Sequence, residues 1–144
     1  MTAKLILAIK GSDVATIPGN ATLLLAAQQM TELKIGSVVI TGAGRRVLGI
    51  FTERDLLRAV ARKSDKALHQ LVSEYMTKDV VTRPLNTSVN DLEELTSGRK
   101  FRHVPIVDEK FALCGIISSG DITKYKLDQS EREAAAAKDY IRTA

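Results

Sequence analysis

Apolar and polar positions alternate along the chain in a pattern that predicts short strands and amphipathic helices in a fixed order. A strand is expected at residues 14–18, where a proline closes it. A helix follows with Thr22 as its natural N-cap, because apolar residues then recur at helical spacing. Two β-branched runs at residues 37–41 and 47–52 predict two strands across a glycine-containing turn, and residues 53–62 predict a second helix.

This order occurs twice, because the chain matches itself without a gap at a shift of 66 residues. Residues 14–60 pair with residues 80–126, and ten of the 47 pairs are identical, against roughly three expected from ordinary composition. In the second copy Ser88 is the N-cap candidate, and strands are expected at residues 104–108 and 113–118. One copy is too small to bury its sheet alone, so we expect the two to pack sheet to sheet about a pseudo-two-fold axis.

The duplication divides the chain into a first repeat at residues 1–61, a connector at 62–76, a second repeat at 77–127 and a C-terminal segment at 128–144. The connector predicts a polar turn and a short amphipathic helix, and the second repeat is expected to end in a helix from residue 119 to about 127. In the C-terminal segment, Ser130 and Glu133 at capping-box spacing and the alanines after them predict a further helix. Its apolar residues recur every seven positions, a seam that would dock on the body or on a second chain. A solvated tail helix is the alternative.

The amino-acid composition favours some classes of function for this chain and argues against others. The 144 residues carry 21 lysines and arginines against 17 acidic residues, a net charge of +4, and only 4% aromatic residues with no tryptophan. Such a mildly basic chain favours phosphate-bearing ligands but lacks the stacking aromatics of a nucleic-acid binder. A single cysteine, Cys114, argues against a disulfide framework or a multi-cysteine metal site and indicates a reducing compartment. No run resembles a signal peptide or a membrane span, so we expect a cytoplasmic protein with no membrane partner.

Two strings at strand-to-helix junctions carry the candidate chemistry. They are Gly49-Ile50-Phe51-Thr52-Glu53-Arg54-Asp55 and Gly115-Ile116-Ile117-Ser118-Ser119-Gly120-Asp121. In each, a hydroxyl lies at the positive end of a helix, which suits a phosphate. The carboxylate three residues later can accept hydrogen bonds from both hydroxyls of a ribose. Both strings are also typical helix N-caps with acidic partners, and the two interpretations are compatible. Their recurrence in a duplicated fold favours a site.

These strings belong to a wider resemblance. Together with Arg102-His103-Val104-Pro105-Ile106-Val107-Asp108 and residues 72–77 leading into Val80-Val81-Thr82, they resemble the tandem CBS-domain modules, named after cystathionine β-synthase, which bind adenine nucleotides between paired repeats. The resemblance covers about residues 1–127. It implies a mixed α+β/α/β fold of two strand-helix-strand-strand-helix repeats, with the C-terminal helix added. It further implies that Asp55 and Asp121 hold ribose beside Thr52 and Ser118, and that a base is bordered by Thr82, Val104 and Pro105.

Basic residues are implied phosphate ligands by the same resemblance, since in similar modules they point into the central cleft. They are Arg99, Lys100, Arg102 and His103, all of which precede the core strand of the second repeat. The fork of donors on arginine suits a phosphate, although a solvated basic helix end is the alternative for Arg99 and Lys100. Arg54, beside Thr52, is a further candidate, and surface exposure is its alternative. The first repeat has Gly36-Ser37 where the second has Arg102-His103, so the two potential sites are not equivalent.

The implied function is a stand-alone regulatory module that binds AMP, ADP, ATP or NAD(H), forms a homodimer and acts on an unidentified protein. It requires no cofactor or metal. No Ser-His-Asp or Cys-His arrangement and no phosphate-binding loop is recognisable in the sequence, so an enzyme is not expected. The alternatives are a protein-interaction adaptor or a nucleic-acid-binding module with an unused cleft.

Overall fold

Two three-stranded sheets, one in each repeat, form the centre of the fold. The computed structural model describes residues 1–98 and 101–143. The first sheet has the order β1 (Thr16–Pro18), β2 (Ser37–Thr41), β3 (Val47–Thr52), and the second has the order β4 (Arg83–Pro84), β5 (His103–Val107), β6 (Leu113–Ser118). In each sheet the first pair is parallel and the second is antiparallel. The predicted fold of two equivalent repeats is confirmed.

Six α-helices surround the sheets in the described residues. They are α1 (Ala3–Lys10), α2 (Leu23–Leu33), α3 (Glu53–Lys63), α4 (Val72–Tyr75), α5 (Val89–Ser97) and α6 (Ser119–Thr143), with 3-10 turns at Ala43–Arg45 and Ser64–His69. Both predicted N-caps are confirmed: Thr22 Oγ1 accepts a hydrogen bond from the Leu25 amide at 3.2 Å, and Ser88 Oγ accepts one from the Asp91 amide at 3.0 Å. None of these helices is long and apolar enough to cross a membrane.

Three buried clusters hold these layers together. In the first repeat, Leu23, Ile40 and Phe51 are fully buried between the sheet and helices α2 and α3. In the second repeat the corresponding cluster contains residues of α1, α5, α6 and both long strands. A third cluster, built on Val39, Ile50 and Leu113, joins the two sheets. The sheet-to-sheet packing that the repeat predicts is therefore present.

The first helix belongs to the second repeat, which the sequence did not predict. The Ala3 amide donates to Thr87 O at 2.8 Å, and the Lys4 amide donates to Leu85 O at 3.0 Å. In the first repeat the connector makes the equivalent bonds, from the Val72 amide to Ala21 O and from the Ser73 amide to Gly19 O. Helices α1 and α4 are thus structural counterparts, each closing the repeat next to it in space.

Other predicted elements differ in their bounds. Strands β1 and β4 are shorter than expected, because Val14 and Val80 pack against the cluster between the sheets instead of pairing in a strand. The connector is two short helical turns and not one helix. It breaks at Gln70, whose extended backbone (φ −76°, ψ 160°) presents its carbonyl to the Leu23 amide at 3.0 Å.

The C-terminal segment is continuous with the last helix of the second repeat. Helix α6 runs unbroken for 25 residues from Ser119 to Thr143. The expected boundary near residue 127 is absent from it, since no glycine or proline interrupts residues 121–143. Residues 130–142 are exposed, and the side chain of Ile141 is 74% exposed. Within one chain, the apolar seam therefore does not dock on the body.

Candidate functional site

A cleft of about 480 Å³ lies where helices α3 and α6 begin, between the two repeats. We call this the central cleft. One wall is formed by first-repeat residues and by three residues that directly follow the connector: Gly36, Ile50, Thr52, Glu53, Arg54, Asp55, Arg58, Thr77, Asp79 and Val80. The other wall is formed by Phe101, Arg102, His103, Ser118, Ser119 and Gly120. Small-molecule sites commonly have volumes of about 300–1,000 Å³. The cleft is therefore large enough for a nucleotide.

Thr52 and Asp55 form a complete capping box at the start of α3. Thr52 Oγ1 accepts a hydrogen bond from the Asp55 amide at 3.3 Å. Asp55 Oδ2 in return accepts from the Thr52 amide at 2.9 Å and from the Thr52 hydroxyl at 3.1 Å. The predicted cap is thus confirmed, and it fixes the carboxylate at the positive end of the helix. The other oxygen, Oδ1, lies 3.7 Å from Arg58 Nη1, whose side chain is 64% exposed, so solvent screens that pair.

Ser118 and Asp121 form the same box at the start of α6, but a third group joins it. Asp121 Oδ2 accepts from the Ser118 amide at 2.8 Å, and the Asp121 amide donates to Ser118 Oγ at 3.1 Å. Lys10 Nζ lies 2.5 Å from the same carboxylate oxygen and also donates to Ile116 O at 2.8 Å. Burial of Asp121 raises its pKa, but the hydrogen bonds from Lys10 and Ser118 outweigh that effect and hold the pKa below its usual value.

The glycine that opens each string is required by close packing. A Cβ atom on Gly49 would lie 2.7 Å from both Met76 Sδ and the carbonyl oxygen of Thr77, and one on Gly115 would lie 2.5 Å from Leu7 Cδ1. Because of this close approach, the chain after α4 hydrogen-bonds directly to β3: the Ile50 amide donates to Thr77 O at 3.0 Å. Thr77, Asp79 and Val80 thereby enter the central cleft.

The basic wall of the cleft comes from the start of β5. Arg102 and His103 line the cleft, and His103 lies opposite Ser118 in the antiparallel register. Burial lowers the pKa of His103, the charges of Arg102 and Lys10 lower it further, and Asp121 opposes them. His103 is therefore neutral at pH 7 in the unliganded protein. Arg99 and Lys100 lie outside the residues that the structure describes.

The structure brings together some of the residues singled out from the sequence and separates others. Those in the central cleft are Thr52, Arg54, Asp55, Arg102, His103 and Ser118. Thr82, Val104, Pro105 and Asp121 do not line it. Val104 is fully buried in the core of the second repeat and Pro105 is also fully buried, because alternate strand residues point to the two covered faces of the sheet. Asp121 lines a groove between α1 and α6 together with Lys10.

Sequence reasoning missed the contribution of the connector. Thr77, Asp79 and Val80 reach the cleft only because α4 and the residues after it pack on β3. Helix α4, which precedes them, corresponds to α1 at a shift of 69 residues instead of 66, and residues 1–10 share no identical residue with residues 70–79. The only signal is that apolar residues recur at three of these positions, which are Ala3 and Val72, Ile6 and Tyr75, and Leu7 and Met76.

Comparison with known proteins agrees with this geometry. The family model for the CBS domain matches residues 8–62 and again residues 72–128. The chain belongs to the CBS-domain family. The CBS pair of this chain has a TM-score of 0.79 to the crystal structure of the CBS-domain protein ATU1752 from Agrobacterium tumefaciens, with 44% identity, covering 88% of this chain and 99% of that one.

Other CBS-domain proteins are similar over most of their length. YhcV from Bacillus subtilis is 32% identical over 88% of this chain and 86% of its own. The CBS pair of the protein MJ0100, solved in complex with 5'-methylthioadenosine and S-adenosyl-L-methionine, has a TM-score of 0.75 and 25% identity, over 87% of this chain and 98% of that one. By contrast, this chain spans only 24% of the CBS-domain protein CBSCBSPB3 from Arabidopsis thaliana.

Proposed function

We propose that this CBS pair is a regulatory module that binds an adenosine-containing ligand in the central cleft and passes the signal to another protein. One observation carries the proposal: the cleft sets the capped carboxylate of Asp55 opposite the basic residues Arg102 and His103. A ribose and a phosphate need such a pair of facing groups. The ligands in the related CBS pair of MJ0100 are both adenosine derivatives, which supports the same class here.

Asp55 is the proposed ribose ligand. Its Oδ2 is occupied by the capping box, and its Oδ1 has Arg58 at 3.7 Å as a weak partner. A ribose hydroxyl that displaces or joins the exposed Arg58 would gain a charge-assisted hydrogen bond, worth about 1.5–3 kcal/mol. The box holds the carboxylate in place before the ligand arrives, so little freedom is lost on binding.

The phosphate is proposed to lie between two helix N-termini. Helix α3 begins at Glu53 on one wall of the cleft and helix α6 begins at Ser119 on the other. Exposed amides at the first turn of a helix favour an anion, and Arg54 and Arg102 stand beside these two ends. Arg99 and Lys100 remain predicted phosphate ligands.

The charge of the lining favours a ligand with few phosphates. Three arginines, at 54, 58 and 102, face three carboxylates, at 53, 55 and 79, and His103 is neutral. Among the described residues, the lining therefore has little excess positive charge for a triphosphate. We propose AMP ahead of ATP, with NAD(H) as a further candidate because its two phosphates are each singly charged. The base would rest against the apolar side chains of Ile50 and Val80, both of which line the cleft.

We propose that the module catalyses no reaction itself. Residues 1–98 and 101–143 contain no cluster of three or more His, Cys, Asp or Glu side chains that could hold a metal ion. Both motif aspartates serve as helix caps, and a ribose role uses them without proton transfer. Hydrolysis of any bound nucleotide would contradict this part of the proposal. A cytoplasmic location, a homodimer and a regulated partner protein belong to the same proposal.

Thermal melting with and without nucleotide tests the proposed ligand and its site. At a ligand concentration a hundredfold above Kd the native state gains about 2.7 kcal/mol, which corresponds to roughly 5–10 °C for a chain of this size. We expect this shift with AMP and not with GTP. The Asp55→Asn variant should lose most of the shift, whereas Asp65→Asn, an exposed aspartate of the connector, should keep it. Equal shifts in both variants would overturn the site, and no shift with AMP, ADP, ATP or NADH would overturn the function.

A further inference from the structure

The two motif aspartates differ in the residue that the neighbouring closing helix brings next to them. Helix α1 closes the second repeat as α4 closes the first, through equivalent backbone bonds. Lys10 lies seven residues after Ala3, and Asp79 lies seven residues after Val72. Helix α1 continues to Lys10, beside Asp121, whereas α4 ends at Tyr75 and the chain after it carries Asp79 into the cleft with Asp55.

The Lys10 ammonium is held by two groups of the second motif string. It lies 2.5 Å from Asp121 Oδ2 and donates to the carbonyl oxygen of Ile116 at 2.8 Å. Only 30% of the lysine side chain and 26% of the aspartate side chain remain exposed. The contact joins residues 111 positions apart in the chain, so it depends on the tertiary packing of α1 and not on local helix geometry.

This contact removes what a ribose would need from Asp121. Oδ2 is occupied by two donors in both aspartates, but at Asp121 one of the two is the Lys10 ammonium, which pairs the negative charge and lies against the carboxylate. The lowered pKa of Asp121 keeps the carboxylate ionised, and therefore paired, throughout the neutral range. Within residues 1–98 and 101–143, the cation paired with Asp55 is Arg58, which is 3.7 Å away and largely exposed, while the Asp55 side chain itself is 7% exposed.

We propose that Lys10 closes the second of the two equivalent sites, so that each chain binds one adenosine ligand, at Asp55. This inference rests on the proposed function, because it concerns the same ligand class. It identifies Lys10 as the residue that sets the number of ligands per chain. Removal of the ammonium should open the Asp121 site.

Isothermal titration of the full chain with adenosine and with AMP tests this. Adenosine is included because the positions equivalent to Arg102 and His103 are Gly36 and Ser37 in the first repeat, so the opened site would lack the counterparts of those two proposed phosphate ligands. We expect one adenosine per chain for the wild type and for Lys10→Arg, which keeps the ion pair. We expect two for Lys10→Met, which keeps the aliphatic stem and removes the charge, and one again for Lys10→Met combined with Asp121→Asn.

Lys4→Met is the matched control, because Lys4 is an exposed lysine of the same helix; it should bind one adenosine. Two adenosines on the wild type, or one on a folded Lys10→Met variant, would overturn the role of Lys10 while leaving the proposed function intact. Melting without ligand checks that each variant folds. If neither adenosine nor AMP binds the wild type or Lys10→Met, the proposed function itself fails and this inference falls with it.

Discussion

The two strand-to-helix junctions have the same local structure and different surroundings. Each presents a hydroxyl, an aspartate and a complete capping box at the start of a helix. Asp55 faces the central cleft, whereas Asp121 is paired with Lys10 beside the groove between α1 and α6. The duplicated motif therefore dictates a helix cap in both repeats. A segment that is distant in sequence, helix α1, brings a lysine to the second cap.

The two repeats also differ in the basic residues that they supply to the central cleft. The first repeat, which places Asp55 in the lining of the central cleft, has Gly36 and Ser37 at the positions where the second repeat has Arg102 and His103. The proposed ribose ligand Asp55 comes from the first repeat, and two of the proposed phosphate ligands, Arg102 and His103, come from the second. The geometry thus combines one half of each repeat into a single composite site.

The largest effect is expected from the motif glycines, which keep the two junctions alike. Gly49→Ala places a methyl group 2.7 Å from the Thr77 carbonyl oxygen, and Gly115→Ala places one 2.5 Å from the Leu7 side chain. Overpacking costs about 1–3 kcal/mol. We expect Gly49→Ala to lower the free energy of unfolding by an amount near the upper end of this range, because the backbone at Thr77 must move. Gly115→Ala should lower it by less, because only a side chain must move. Urea unfolding measures both.

A rescue experiment distinguishes the clash with backbone at Gly49 from the clash with a side chain at Gly115. Leu7→Ala should suppress the penalty of Gly115→Ala in a double-mutant cycle, since only that side chain is in the way. Met76→Ala should rescue Gly49→Ala only partly, because the Thr77 carbonyl remains. Gly98→Ala, where a Cβ meets nothing within 4 Å, is the control. Equal rescue at both positions would contradict the assigned role of the backbone.

Part of this structure could be predicted from the sequence, and part could not. The repeat, the caps at Thr22 and Ser88 and the strands at 37–41, 47–52 and 113–118 follow from local patterns, since caps and alternation depend on neighbouring residues. The packing of α1 on the second repeat does not, because residues 1–10 and 70–79 share no identical residue. Consequently neither the contact of Lys10 with Asp121 nor the burial of Val104 could be predicted.

Substitution of the two motif aspartates should change the Kd for AMP to very different extents. Asp55→Asn removes the proposed ribose carboxylate, and the loss of a charge-assisted hydrogen bond of about 1.5–3 kcal/mol weakens AMP binding at least about tenfold. Asp121→Asn should change the Kd by less than about threefold, because Lys10 already holds that carboxylate. Titration calorimetry measures both values. Equal weakening by the two variants would mean that the ligand bridges both aspartates.

A smaller effect concerns the basic side of the composite site. His103 has a lowered pKa, caused first by burial and then by the charges of Arg102 and Lys10, against Asp121. A phosphate docked beside it would raise that pKa, so binding takes up a proton, and AMP affinity rises as the pH falls through the raised pKa of the complex. One proton limits the change to about tenfold per pH unit. Adenosine binding, and AMP binding by His103→Gln, should lack this rise. A rise of equal size in His103→Gln would assign the proton to another group.

The smallest effect is expected from the ion pair that closes the second junction. The pKa of Asp121 is lower in the folded chain than its ordinary value, so the group stabilises the fold above the unfolded-state pKa of about 3.9, and this contribution is lost as the pH falls through the lower folded value. Partly exposed pairs contribute about 0–1 kcal/mol. Lys10→Met should therefore lower the free energy of unfolding slightly at pH 7, and the difference from the wild type should shrink below about pH 4. Urea unfolding at both pH values measures it, with Lys4→Met as the reference. A difference that does not depend on pH would show that Lys10 stabilises the fold through its hydrogen bond to Ile116 O and not through the charge of Asp121, and the charge pairing that separates the two junctions would then have to be abandoned.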